Sequence, residues 1–451
     1  MVSKAPSPPQ QLSLANLRAL SVLGQGARGV VFHVVPVAAA EAAAAAGDSS
    51  ATAGADPMAM ALKAMSRAAA RHKGAGPGGT CGSDGHRRIW FERDVLLALR
   101  HPLLPSLRGV VATDAVVGFA IDRCPGGDLK SLRRRWRAET TFPESVIRFY
   151  AAELVLALEH LHGLGVAYRD LKPENVLIQD SGHIMLVDFD LSTTLPPPPP
   201  PPLPNATAQR VSSPSRRPSS RHRRRKSKKA AAAIVFACFS SRHAASPETS
   251  SAQSPASISM AASSASSSSF FSSGGARTPA KSNSFVGTED YMAPEIVAGS
   301  GHDHAVDWWG LGVVLYEMLY GRTPFRGRNR QETFRRVLAA PPELPGEPTP
   351  LRDLIARLLE KDPRKRLGAH GVRRHAFFRG VDWDRVLDVA RPPFIPAPDD
   401  GGAGAEALAE SEALDVEKVV HEVFGASGNG EMPPTDVGSD GGKDYDFSIF
   451  F

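Results

Sequence analysis

Residues 168–175 read Tyr168-Arg169-Asp170-Leu171-Lys172-Pro173-Glu174-Asn175, and the rest of the chain is best read outward from them. Charged and amide side chains crowd around one proline, the composition of a polar turn between regular elements. Upstream, residues 143–162 carry Val146, Phe149, Leu154, Leu158 and Leu161 at helical spacing, so a helix delivers the chain to this turn. Downstream, Val176-Leu177-Ile178 and Ile184-Met185-Leu186-Val187 flank Asp180-Ser181-Gly182, which predicts a hairpin. Asp188-Phe189-Asp190 follows at once. A plain turn accounts for the position; the ordered set of acid, lysine and amide asks for chemistry as well.

The length of 451 residues allows two or three domains. The formal charge of +6 is modest, and much of the basic excess sits in residues 216–229. Cys81, Cys124 and Cys238 are odd in number and far apart, so neither a disulfide framework nor a zinc site is suggested and a reducing compartment is expected. Residues 1–11 lack the apolar run of a signal peptide, and Val2 excludes myristoylation. The most apolar window, 305–320, contains Asp307 and Glu317 and is short for a membrane span, so it reads as a buried helix. An intracellular soluble protein is expected.

Taken in order, residues 1–16 form a polar leader and strand character starts at Leu17. The turn Gly24-Gln25-Gly26-Ala27-Arg28-Gly29 separates two apolar strands; glycines there let backbone approach anionic oxygens, although a tight hairpin alone would need no more. Ala-rich residues 36–57 and Gly-rich residues 67–85 read as insertions around a strand that ends at Lys63. A helix over 87–99 would bury Ile89, Val95, Leu96 and Leu99 and carry Glu92. A strand over 116–121 runs into Asp122-Arg123-Cys124-Pro125-Gly126-Gly127-Asp128, the kind of turn a hinge between two lobes needs. Residues 193–282 combine prolines, a basic cluster, the apolar patch 230–239 and a Ser-rich tract, and their low hydrophobicity predicts disorder. Globular pattern resumes with Ser284-Phe285-Val286-Gly287-Thr288 and Met292-Ala293-Pro294-Glu295. After Phe394 the chain is acidic and Gly-rich, apart from a candidate helix over 405–423, and it ends Phe447-Ser448-Ile449-Phe450-Phe451.

In this order the motifs resemble a serine/threonine protein kinase over residues 17–380. The resemblance implies an α+β, bilobal fold: a β-rich small lobe over 17–122, a mainly helical large lobe over 123–380 interrupted by the 193–282 insertion in its activation loop, and a tail over 381–451. His375-Ala376-Phe377-Phe378, Trp383, Arg391-Pro392-Pro393-Phe394-Ile395-Pro396 and the terminal Phe447 and Phe450 are similar to the AGC kinase tail. Asp-Phe-Asp with a long activation-loop insertion resembles the plant AGC-VIII group, and the N-terminal lobe is most similar to its UNICORN-like members. Asp170 then orients the substrate hydroxyl, Lys172 neutralises the migrating phosphate, and Asn175 and Asp188 hold Mg2+. Gly24, Gln25, Gly26, Ala27, Arg28, Gly29 and Val31 cover ATP, Lys63 contacts its phosphates while paired with Glu92, and backbone from Asp122 to Cys124 meets adenine. Ser284 is the implied activation phosphosite, with Arg169 to hold its phosphate. Asp128 and Glu174 are implied contacts for arginines in a substrate. Phe447 and Phe450 imply docking by a phosphoinositide-dependent upstream kinase. Asp307 should cap the catalytic loop, and Arg366 should pair with Glu295. Tyr168 replaces the usual His, and Asp190 replaces a flexible glycine.

An active enzyme taking basic Ser/Thr protein substrates in plant signalling or growth control is the leading reading. A pseudokinase scaffold would be favoured by loss of Lys63, Asp170 or Asp188, and all three are present. Residues 221–229, with Ile234, Val235, Phe236 and Phe239 nearby, suit anionic membrane lipid, a nuclear address or a merely solvated loop. They lack interleaved aromatics, so specific nucleic-acid binding is not expected. A monomer is expected, cytoplasmic and/or nuclear, with peripheral plasma-membrane association as a further expectation.

Overall fold

Alternating small and branched apolar residues build a six-stranded sheet in the small lobe. Its strands are β1 (Gln11–Leu12), β2 (Leu17–Gln25), β3 (Gly29–Pro36), β4 (Met60–Ser66), β5 (Leu107–Ala112) and β6 (Val116–Asp122), in the order β1-β5-β6-β4-β3-β2. All neighbours are antiparallel except β1 and β5. The computed structural model describes residues 10–26, 28–39, 59–72, 83–136, 142–195, 281–282, 284–390, 392–395 and 413–425. All of these lie in one unit, formed by residues 1–201 and 277–451.

Period-two alternation gives the sheet two different faces. Met65 and Phe119 share a core with Ile89, Val95 and Leu96 of α2 (Ser83–Ala98), which follows α1 (Arg67–His72). The opposite face, with Val30, Phe32, Val34 and Leu62, packs against Val416 and Val420 of a distant helix, α10 (Val416–Gly425). The Leu414 N–H donates to the Ala19 carbonyl at 3.1 Å, and the Thr113 hydroxyl donates to Glu417. Two sequence expectations change here. Residues 10–16 are not a loose leader: Leu12 and Leu14 pack on the same face. The tail helix begins at Val416, after non-helical residues 413–415, and residues 405–412 of the expected helix lie outside the described residues.

The large lobe contains α3 (Leu129–Arg135), α4 (Glu144–Gly163), α5 (Pro294–Val297), α6 (Ala305–Tyr320), α7 (Arg330–Ala339), α8 (Pro350–Leu358) and α9 (Ala369–Arg373). The central helix α6 is buried almost all round, as its apolar sequence requires. A Cβ on Gly312 would sit 2.8 Å from the Leu358 Cβ, so glycine sets how closely α6 and α8 approach. Strands β8 (Val176–Ile178) and β9 (Ile184–Leu186) form the expected hairpin. β7 (Val166–Ala167) pairs with β10 (Thr193–Thr194), and Ser282 exchanges backbone hydrogen bonds with His302 at 2.9 Å each. Both edges of the expected 193–282 insertion are therefore part of the fold. Among the described residues, no helix is long and apolar enough to cross a membrane.

Candidate active site

Helix α4 carries the chain to the catalytic stretch, and Asp307 of α6 holds that stretch in place. Its carboxylate accepts from the Tyr168 N–H at 2.9 Å and the Arg169 N–H at 2.7 Å, and lies 2.7 Å from His162 Nε2. Burial alone would raise the Asp307 pKa, but His162 and these backbone donors hold it below the usual range. Arg169 has φ 72° and Asp188 has φ 60°, left-handed conformations that non-glycine residues adopt at a cost. Tyr168 is fully buried, donates to the Val187 carbonyl at 2.5 Å, and meets the Phe189 ring edge-on at 5.6 Å. The replacement of His by Tyr is thus absorbed by packing between the two loops.

Around this frame the polar side chains converge. Asp170 Oδ2 faces Lys172 Nζ at 3.0 Å and accepts from Asn175 Nδ2 at 3.1 Å. Its Oδ1 accepts from the Thr288 N–H at 3.1 Å and hydroxyl at 2.9 Å. Burial pushes the Asp170 carboxyl up, and Lys172 pulls it back only in part. Lys63, on β4, donates to Glu92 Oε1 at 2.8 Å and Asp188 Oδ1 at 3.0 Å. Burial would lower the Lys63 pKa, yet Asp188 and Glu92 together hold the ammonium above its ordinary value. Burial raises the Glu92 carboxyl against the pull of Lys63.

The cleft beside these groups is lined by Leu23, Val31, Ala61, Leu177 and Cys124, with Lys63 and Asp188 at its polar end. This is an apolar slot suited to a planar ring, ending in charges suited to phosphate. Burial holds the Cys124 thiol protonated, above its usual range. The Asp122 carboxylate is turned to the Ser106 N–H (2.8 Å) and Arg108, which leaves ring recognition to the backbone. At the roof, Gly26 N donates to the Gly29 carbonyl at 2.9 Å, and a Cβ on Gly29 would lie 2.6 Å from the Ala64 carbonyl oxygen. Gly24 and Gln25 end β2; Ala27 lies outside the described residues.

The residues fit a divalent cation by their donor chemistry. Asn175 Oδ1 is buried and without a hydrogen-bond partner, and the Asp188 carboxylate is the second hard oxygen donor of the set. Ser284 lies with its hydroxyl 2.5 Å from Arg169 Nη1, which also donates to Ser282 Oγ (3.1 Å) and His302 Nε2 (3.2 Å).

A family model described as the protein kinase domain matches residues 49–215 and 268–378. The chain belongs to the protein kinase family. The serine/threonine-protein kinase OXI1 of Arabidopsis thaliana is 46% identical over 415 residues, covering 92% of this chain and 86% of that protein. The Arabidopsis kinase UCN is 41% identical over 418 residues (91% of each chain), and UCNL is 40% identical over 404 (88% and 87%). This kinase is a serine/threonine enzyme of the plant AGC-VIII group, and ATP binding follows from that family's fold.

On the side where a substrate would lie, Asp128 is fully buried and caps α3, accepting from the Ser131 N–H and hydroxyl at 2.8 Å each. Its place at the start of a basic helix was a capping signal. Glu174 pairs with Lys130 at 2.7 Å through Oε1, while its Oε2 is buried and unpartnered. In the sequence Glu317 is one of two acids in an apolar helix. It accepts from the Tyr291 hydroxyl and lies 3.6 Å from Arg133. Thr288 and His302 were also missed as functional groups, because their partners lie more than a hundred residues away. Phe447 and Phe450, the basic cluster 216–229 and the apolar patch 230–239 lie outside the described residues.

Proposed function

We propose that this kinase transfers the γ-phosphate of Mg2+-bound ATP to Ser or Thr hydroxyls in basic protein segments. The observation that carries this reading is the convergence on Asp170 of Lys172, Asn175 and Thr288, beside the unpartnered Asn175 Oδ1 and the Lys63–Asp188 contact. Asn175 and Asp188 would hold Mg2+, which when bound supplies charge neutralisation at the phosphates. Asp170 orients the incoming hydroxyl and receives its proton. Lys172, tied to both Asp170 and Thr288, places positive charge beside the phosphate in flight. Lys63 is fixed by Glu92 rather than free to wander, so its charge is preorganised. The preference for basic segments rests on Glu174, whose buried Oε2 has no hydrogen-bond partner and is an acceptor that an arginine or lysine of the substrate would satisfy.

Phosphorylation of Ser284 is the proposed activating event. Arg169 already touches its hydroxyl, and a phosphate there would form charge-assisted bonds that stiffen the segment carrying Thr288. Docking of an upstream kinase on Phe447 and Phe450, and membrane or nuclear addressing by residues 216–229, complete the proposal on sequence grounds. Three assays of the purified full chain test the core of it. Phosphate incorporation should prefer basic over acidic Ser/Thr peptides, should spare tyrosine peptides, and should stop when Mg2+ is chelated. Equal turnover of acidic and basic peptides would remove the substrate assignment, and turnover undiminished by chelation would remove the metal.

A further inference from the structure

Asp190 is the residue the catalytic reading does not use. A glycine there would have no side chain, whereas Asp190 reaches a partner 162 residues away: its carboxylate pairs with the Arg28 guanidinium at the tip of the glycine-rich loop. Its backbone is engaged as well. The Asp190 carbonyl accepts from Arg88 Nη1 of α2 at 3.4 Å, and its N–H points to Asp188 Oδ1 at 3.4 Å. One residue therefore joins the roof of the nucleotide cleft, the helix that carries Glu92, and the acid proposed to hold metal.

Asp190 also acts electrostatically on Lys63 and on Glu92. With Asp188, Asp170 and Glu92 it makes a fourth carboxylate around the place where triphosphate must bind. Arg28 is the guanidinium that offsets it. The Arg28 and Asp190 side chains are 36% and 21% exposed, so as a contribution to stability the pair is worth little. Its value lies in position. A glycine-rich loop loses much conformational freedom on ordering, and a tether at its tip removes that loss from the binding step.

We propose that Arg28 and Asp190 form a clasp that holds the glycine-rich loop closed over the phosphate site and keeps Asp190 from repelling the nucleotide. Both are positioning residues; neither needs to touch the reacting atoms. The inference rests on the nucleotide-binding part of the proposed function, and half of its test needs no nucleotide at all.

The test compares wild type, Arg28→Ala, Asp190→Gly, the double variant, and the exchange Arg28→Asp/Asp190→Arg. In nucleotide-free protein, amide hydrogen exchange of residues 24–29 is measured first. Both single variants should exchange faster than wild type, the double variant should be no faster than either, and the exchanged pair should recover protection. Equilibrium binding of ADP with Mg2+ is measured second. Arg28→Ala, which leaves Asp190 uncompensated, should weaken binding by about tenfold, and removing Asp190 as well should restore most of it. Losses that simply multiply in the double variant, unchanged exchange in Arg28→Ala, or tighter ADP binding in Arg28→Ala would each overturn the clasp. A wild-type chain that binds no ADP while its loop exchange follows the predicted pattern would instead count against the nucleotide reading.

Discussion

Asp307 shares its carboxylate among two backbone N–H groups and His162, and replacing it with Asn leaves the loop one acceptor short. Asp307→Asn should lower kcat about a hundredfold by letting Asp170 shift, with a smaller change in KM for ATP, as steady-state kinetics would record. A neighbouring residue carries a pH dependence. His304 stacks edge-on to His162 at 4.8 Å and also faces Asp307 and Asp303; burial, then His162, lowers its pKa from 6.5 to about 4. Its folded value lies below its unfolded one, so the unfolded chain binds the extra proton first. Stability should therefore be lost as pH falls from 6.5 towards 4. The urea midpoint should drop between about pH 7 and about pH 5, and His304→Gln should make that drop smaller. Residue roles with local signals were legible in the sequence: Asp307, Arg366 and Glu295 sit in ordered motifs, and the structure forms both their contacts. The burial of Asp128 was not legible, since an acid before a helix serves equally as a cap or as a ligand.

Helix α10 presents Val416 and Val420 to the outer face of the sheet, and β1 with Leu14 covers the adjoining surface. The kinase small lobe is thus completed from both ends of the described chain. Val420→Asp places an unpaired charge in that contact and should cost at least about 2 kcal/mol, read as a lower urea midpoint. An unchanged midpoint would mean that α10 adds nothing to the lobe. The helical period of the tail was readable, but its partner was not: the face it covers comes from five strands dispersed between Ala19 and Ala120. A second element-scale prediction concerns the link between α5 and the loop before α9. Arg366 donates to Glu295 at 2.6 and 2.9 Å with both side chains buried. Arg366→Met strands a buried carboxylate and should cost about 3–5 kcal/mol, whereas Arg366→Met with Glu295→Leu should recover part of the loss. Denaturant unfolding of the three proteins decides it.

At the scale of the whole molecule, both lobes contribute charge to one cleft: Lys63 and Glu92 from the small lobe, Asp170, Lys172, Asn175 and Asp188 from the large. The bilobal plan was legible because each lobe has its own hydrophobic period, and the motifs fall in sequence order along both. What composition could not reveal was the wiring between distant segments: Thr288 on Asp170, Ser284 and His302 on Arg169, Arg28 on Asp190. These contacts make the activation segment part of the active site, so Ser284→Ala should reduce basal peptide phosphorylation while leaving ADP affinity close to wild type. The central claim is that Asp170 works on the substrate hydroxyl during phosphoryl transfer. Its most direct test is the single-turnover rate of phosphate transfer from Mg2+-ATP to a basic serine peptide, in the full-length chain and in Asp170→Asn. The rate should fall by roughly a thousandfold with ADP affinity retained; transfer by Asp170→Asn at the wild-type rate would contradict the assignment.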